Sequence, residues 1–211
     1  MIAHKNAGLI NIDKDCDAAI VKAKKLYLEG NVFIYPTDTI YGLGANPFNE
    51  DAVERIYEIK HREREKTYIM LINSIENLLK YVEVKSENHL DFLLSIWPNP
   101  VSVVLNLNFK TQELLKSKTA AFRIPNHRFC LKLLTALQMP LISTSVNKSG
   151  QVPLNELSLF EEEYSSQVSA IFYTEKKSFV NSSTLIDLSE SVPQLIREGK
   201  MKFVDLLAKY K

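Results

Sequence analysis

Cysteine is scarce: the 211-residue chain holds only Cys16 and Cys130, far apart and with no second cysteine near either. This argues against a disulfide framework and against a cysteine-rich zinc site. Charge of one sign is equally short. The 26 Lys and Arg meet 25 Asp and Glu, leaving a net charge of +1. No general affinity for polyelectrolytes follows, so any phosphate or nucleic-acid site must be a local patch. Long apolar runs are missing too, and the opening MIAHKNAGLINIDKD reads as neither a signal peptide nor a membrane anchor. No repeat, low-complexity tract or Pro/Gly/Ser linker divides the chain. These absences lead us to expect a soluble, cytoplasmic protein with a single domain over residues 1–211. With 45% apolar and 24% charged residues, a chain of this length can bury a core unaided.

What is present alternates between helical and strand-like patterns. The spacing of Ala19, Ile20, Ala23, Leu26 and Tyr27 predicts a helix from Asp17 to Glu29, stopped by Gly30. Val32 to Tyr35 reads as a short buried strand. Asn49 is placed to cap a helix that opens with Glu50 and Asp51, buries Val53, Ile56 and Tyr57, and reaches about Lys60. Further strands are predicted at Tyr68 to Ile72, Val101 to Leu107, Ala120 to Ile124, Leu141 to Ser145, Ala170 to Tyr173, Thr184 to Leu188 and Gln194 to Ile196. Helices are predicted around Leu78 and Leu79, from Leu90 to Trp97, where Pro98 and Pro100 end the run, and from Phe129 to Leu137. The alternation specifies an α/β domain with a mixed sheet and leaves the strand order open.

Four runs could carry chemistry. The first is Pro36-Thr37-Asp38-Thr39-Ile40-Tyr41-Gly42-Leu43-Gly44, at the end of a buried strand, where open α/β sheets place ligand loops. Its hydroxyls and amides suit a small polar substrate. The plainer reading is a turn whose Thr and Asp satisfy backbone groups. No Gly-Lys-Ser/Thr follows, so it is no P-loop, and Gly42-x-Gly44 lacks the third glycine of a dinucleotide site. The second run is Lys60-His61-Arg62-Glu63-Arg64-Glu65-Lys66. Extended backbone would put its four cations on one side and the two glutamates on the other. Such a face could clamp a triphosphate or an RNA backbone, or be a solvated surface run. On either reading Lys60 and Arg64 are expected to be exposed, and His61 reads as a surface residue.

Third, Arg123 stands in the otherwise apolar Thr119-Ala120-Ala121-Phe122-Arg123-Ile124-Pro125, where an unpaired guanidinium is costly. Either a structural carboxylate or an anionic ligand meets it. Fourth, Ser143-Thr144-Ser145-Val146-Asn147-Lys148-Ser149-Gly150 gathers small donors and acceptors at a strand-to-loop transition. They suit a nucleotide or an amino acid, or ordinary capping. Ser182-Ser183-Thr184 and Leu195-Ile196-Arg197-Glu198-Gly199 repeat the pattern of strand plus polar end. No Ser-His-Asp arrangement and no covalent nucleophile stands out.

In their order along the chain, the PTDTIYGLG run, KxR with further basic residues, Trp-Pro-x-Pro, Arg-x-Pro, STSxNxSG, SST-x-x-D and the Ile-Arg-x-Gly ending resemble the YrdC family of L-threonylcarbamoyladenylate synthases. The resemblance spans roughly residues 15–200. It implies a twisted open α/β sheet with flanking helices around a basic concave cleft, in a short form without the extra C-terminal domain of longer members. It also implies synthesis of threonylcarbamoyl-AMP and pyrophosphate from L-threonine, bicarbonate and ATP, with Mg²⁺ on the phosphates. A tRNA-modifying transferase would receive the product. Thr37, Arg123 and Ser143 match threonine-site positions. Lys60, Arg64, Thr119, Ser145 and Arg197 match ATP-site positions, and Arg62 and Asn147 belong to the same motifs. No general base and no protein-held metal is implied.

The chain departs from the family pattern at Glu63, where proline is common, at Asn99, where glycine is common, and at Val146, where alanine is common. Ile69 and Met70 stand where some members have a histidine. The main rival is a non-catalytic RNA-binding module of the same fold, whose cationic cleft tracks phosphates. A paralogue of different activity is another; a hydrogenase-maturation carbamoyl transferase would usually be much larger, with extra metal-binding modules. Lys60-x-Arg62 together with Ser145-x-Asn147 favours the synthase.

Overall fold

In chain order the elements are β1 (Gly8–Asn11), α1 (Cys16–Leu28), β2 (Phe33–Tyr35), β3 (Gly42–Gly44), α2 (Glu50–Lys60), β4 (Ile69–Leu71), α3 (Ile75–Leu78), α4 (Glu87–Ile96), β5 (Val101–Asn106), α5 (Phe109–Leu115), β6 (Thr119–Arg123), α6 (Arg128–Leu137), β7 (Leu141–Ser145), α7 (Leu157–Tyr164), β8 (Ala170–Tyr173), β9 (Thr184–Asp187), β10 (Gln194–Arg197) and α8 (Phe203–Leu207). This computed structural model describes residues 7–61, 68–176 and 181–211. The strands form a ten-stranded sheet in the order β1-β8-β2-β3-β7-β4-β6-β5-β9-β10. Four pairs are parallel (β1 with β8, β8 with β2, β4 with β6, β5 with β9) and the other five are antiparallel. The sheet is therefore mixed, as the pattern of elements predicts.

Capping sets the helix starts. Asp15 accepts the N–H groups of Asp17 and Ala18 at the start of α1, and Asn49 accepts that of Ala52 at 2.8 Å in α2. Gly30, at φ +73°, follows the end of α1. The buried stripe of α2 is Ala52, Ile56, Ile59 and Lys60, whereas Val53 and Tyr57 are only half-buried. The helix is rotated from the predicted face, because its last turn turns inward beneath the loop after β7.

Alternation along β2 divides the packing. Phe33 and Tyr35 join the cluster under α1 and α6, while Ile34 joins that under α2 and α7. A third cluster packs Phe92, Leu93 and Ile96 of α4 on Val101, Val103, Ala120 and Phe122. Val146 fills part of the α2/α7 cluster. Asn99 donates to the Ile96 carbonyl at 2.9 Å, closing the end of α4 with a side chain that glycine lacks.

One element contradicts the expected loop. Gly42, Leu43 and Gly44 form β3, paired antiparallel with both β2 and β7. A Cβ on Gly44 would stand 2.7 Å from a Tyr35 ring carbon and 2.9 Å from one of Phe33. The glycine is thus explained by aromatic rings lying across the strand rather than by a turn. β1, α5, α7 and α8 are further elements that local patterns did not announce.

Candidate active site

A cavity of about 490 Å³ opens on the same sheet face that α1 and α6 pack against, over the part of it they leave bare. Its floor is one cross-strand row: Ser143 of β7 pairs with Ile69 of β4, Ile69 with Ala121 of β6, and Ala121 with Val104 of β5. All four line it. The LISTS sequence of β7 explains the change from core to site. Leu141 belongs to the apolar cluster, and two and four residues on, the same face carries Ser143 and Ser145. Gly42 lies opposite Ser145, and a Cβ there would come within 3.0 Å of Ser143 Oγ.

Arg123, Ser143, Ser145, Asn147 and Arg197 all line this cavity, brought together from three strands and a loop. Arg123 is 3% exposed. Its Nη1 donates to Thr39 Oγ1 at 3.1 Å and stands 3.2 Å from Asp38 Oδ1. The two readings of this arginine thus coexist: a carboxylate pairs with it, and it faces the cavity. Thr119 lies two residues outward of Ala121 on the same face of β6, where it pairs with Asn106 rather than lining the cavity.

Lys60 corrects the expectation of an exposed run. It is 2% exposed and donates to the carbonyls of Ser145 and Asn147 and to Asn147 Oδ1. Asn147 is equally committed: Ser145 Oγ donates to its Oδ1, and its Nδ2 donates to the Gln151 carbonyl. Ser149 N–H closes the knot on the Lys60 carbonyl at 2.8 Å. Lys60 therefore shapes the Ser145–Gln151 loop from behind, outside the cavity lining. Arg62 and Arg64 lie outside the described residues, as does Glu63.

The opposite rim is built by β9 and β10. Arg197 donates to the Ser183 carbonyl at 3.0 Å, and desolvation lowers its pKa from the ordinary guanidinium value. Ser183 also shares a 2.8 Å hydrogen bond with Ser102. Gly199 approaches so closely that a Cβ would stand 2.4 Å from the Ser182 oxygen and the Ser183 carbonyl carbon. Only glycine lets the Ile-Arg-x-Gly segment turn against Ser182 and Ser183.

Thr37 points elsewhere. Its hydroxyl donates to the Ile40 carbonyl at 2.7 Å and accepts the Thr39 N–H at 3.0 Å. It lines a second cavity of about 310 Å³ beside Asp13, His127 and Lys176. Within the PTDT turn it is Thr39 that reaches the main cavity. Thr39, Tyr68, Gln151 and Ser183 are lining residues that sequence reasoning did not assign. The strand-end polarity of Ser182-Ser183-Thr184 was the available signal for the last. Ile69 gives the floor no hydrogen-bonding group where some family members have histidine. Burial pushes the Tyr68 phenol up, so it stays a neutral donor at pH 7.

Among the described residues the lining includes Arg123 and Arg197 but no Asp, Glu, His or Cys. Such a site favours anionic ligands carrying several hydrogen-bond acceptors. The described residues contain no group of three His, Cys, Asp or Glu able to hold a metal, and no helix long and apolar enough to cross a membrane.

The sequence model of the Sua5/YciO/YrdC family, described as Telomere recombination, matches residues 25–199. A threonylcarbamoyl-AMP synthase of Vibrio vulnificus (strain YJ016) is 32% identical over 184 residues, 85% of this chain and 96% of that protein. One from Pseudoalteromonas translucida is 33% identical over 156 residues, 72% of this chain and 83% of that protein. Sua5 of P. abyssi, complexed with L-threonine, matches at TM-score 0.86 and 28% identity, over 97% of this chain and 61% of that one. This chain thus spans about three fifths of that Sua5. E. coli YciO matches at TM-score 0.85 and 23% identity, over 96% of this chain and 99% of that one, a likeness of fold.

Proposed function

This chain belongs to the Sua5/YciO/YrdC family, and we propose that it makes threonylcarbamoyl-AMP and pyrophosphate from L-threonine, bicarbonate and ATP. The observation that carries this reading is the joining of Arg123, Ser143, Ser145 and Arg197 around one cavity with no acidic residue in its described lining. In the reaction the threonine amine is carboxylated. A carbamate oxygen then forms a bond to the α-phosphorus, and the bond to the departing pyrophosphate breaks.

ATP and bicarbonate are anions and threonine becomes one as its carbamate, so the site must offset mutual repulsion while holding an unstable carbamate close to the nucleotide. Arg123 and Ser143 take the amino acid, with Thr37 acting through Thr39, whose N–H it anchors. Ser145, Asn147 and Arg197 take the nucleotide, together with Arg62 and Arg64, and Thr119 stands at the outer edge. Lys60 serves the nucleotide by holding the Ser145–Gln151 loop. Mg²⁺ would arrive on the phosphates of ATP, since the described residues of the lining supply no carboxylate to hold it. All of this falls within one domain, working in the cytoplasm and passing its product to a transferase that modifies adenosine in tRNA.

The test is incubation with ATP, L-threonine and bicarbonate, followed by mass spectrometry for threonylcarbamoyl-AMP. Pyrophosphate release should require both threonine and bicarbonate. ATP turnover indifferent to threonine would overturn the synthase reading. Tight, steeply salt-dependent tRNA binding without any adenylate product would replace it with the RNA-binding one.

A further inference from the structure

Arg123 is gripped at one end only. Nη1 donates to Thr39 Oγ1 at 3.1 Å and forms an ion pair with Asp38 Oδ1 at 3.2 Å, an oxygen that makes no hydrogen bond, while Nε is buried with no partner. Asp38 is 6% exposed and lies behind the arginine, outside the cavity lining. It is itself fixed, its Oδ2 accepting the Asn126 N–H at 3.1 Å. Thr39 is fixed through the Thr37 hydroxyl.

A guanidinium is planar, so immobilising one Nη sets the direction of the whole fork. The edge left over, Nε with Nη2, has the geometry that pairs with a carboxylate through two parallel hydrogen bonds. Asp38 also balances the buried charge while the cavity is empty, without occupying that edge. We propose that Asp38, assisted by Thr39, is a positioning residue: it holds Arg123 by Nη1 so that the Nε edge receives the carboxylate of the amino-acid substrate. It thereby sets the preference for an amino acid over an amine of the same side chain. This inference rests on the threonine reading of the site.

Calorimetric titration with L-threonine, with L-threoninol, which carries a hydroxymethyl group in place of the carboxylate, and with ATP tests it. Asp38→Asn preserves volume and an acceptor for Asn126 but removes the charge. It should weaken L-threonine binding about tenfold or more, the scale of one charge-assisted hydrogen bond, while L-threoninol and ATP change little. Thr39→Val should lower the threonine-to-threoninol ratio in the same direction by less, and Thr39→Ser should restore it. That pair decides the matter if Asp38→Asn does not fold. A variant that melts earlier but keeps the wild-type ratio, or loses all three ligands alike, would reduce Asp38 to a structural ion-pair partner. A wild-type protein unable to tell threonine from threoninol would instead overturn the threonine reading itself.

Discussion

Lys60 Nζ donates to the side-chain oxygen of Asn147 at 2.9 Å, tying the last residue of α2 to the loop that follows β7. The same ammonium meets the Ser145 and Asn147 carbonyls. A cation buried this deeply is tolerated because acceptors surround it, and the loop keeps its shape because the cation is there.

Lys60→Ala should therefore damage folding as well as nucleotide use. Removing the ammonium leaves buried acceptors unpaired, at a cost of about 2–4 kcal/mol. Urea denaturation compared with ATP affinity checks this. Full stability with selective loss of ATP binding would mean that the lysine acts from an exposed position instead.

Arg197→Ala should weaken ATP binding with little loss of stability. Its guanidinium donates to the Ser183 carbonyl from a largely exposed strand, so no core cavity results. Loss of a charge-assisted phosphate contact would cost about 1.5–3 kcal/mol of affinity. ATP titration against a melting curve separates the two effects.

Gly199→Ala should destabilise the β9–β10 end. The new methyl would meet backbone atoms of Ser182 and Ser183, and backbone has no rotamer through which to yield. About 1–3 kcal/mol is the scale of such overpacking. The neighbouring Arg197 should shift with it, raising the apparent KM for ATP in steady-state kinetics.

His127 should make the fold sensitive to mild acid. Burial lowers its pKa from 6.5; the Asp38 charge opposes that shift and the Arg123 charge adds to it. A histidine depressed in the folded state binds its proton more readily when unfolded. Its contribution is thus present above about pH 6.5, the unfolded value, and is lost as pH falls through the folded pKa. Denaturation of His127→Gln between pH 7.5 and about 5 should show a shallower loss than wild type, over the range where histidine titrates. Identical slopes would show that His127 titrates alike in both states.

Much of the fold was legible because it is written in local periodicity. Ile142 flanked by Leu141 and Ser143 sends alternate side chains to opposite faces, and Asn49 ahead of Glu50 and Asp51 marks a helix start on chemistry alone. The motif order likewise named Arg123, Ser143, Ser145, Asn147 and Arg197 among its threonine-site and ATP-site residues, and the cavity gathers these five, while Thr37, Lys60 and Thr119, named with them, stand outside its lining. β3 escaped because glycine normally signals a turn, and here the reason for glycine is the packing of Tyr35 and Phe33.

By itself, then, the sequence determined where most of the strands and helices fall, that the sheet is mixed, and which polar residues stand at strand ends. The tertiary structure decided which strands lie side by side, and with them every partnership of the site. Arg123 requires some counter-charge wherever it is buried, yet only the sheet order brings Asp38 to its Nη1. Lys60 looks solvated in a run of charges, yet the carbonyls of Ser145 and Asn147 draw it inside. Side-chain alternation and capping depend on neighbours a few residues away, whereas the solvation of a buried charge depends on groups that meet only when the chain closes on itself.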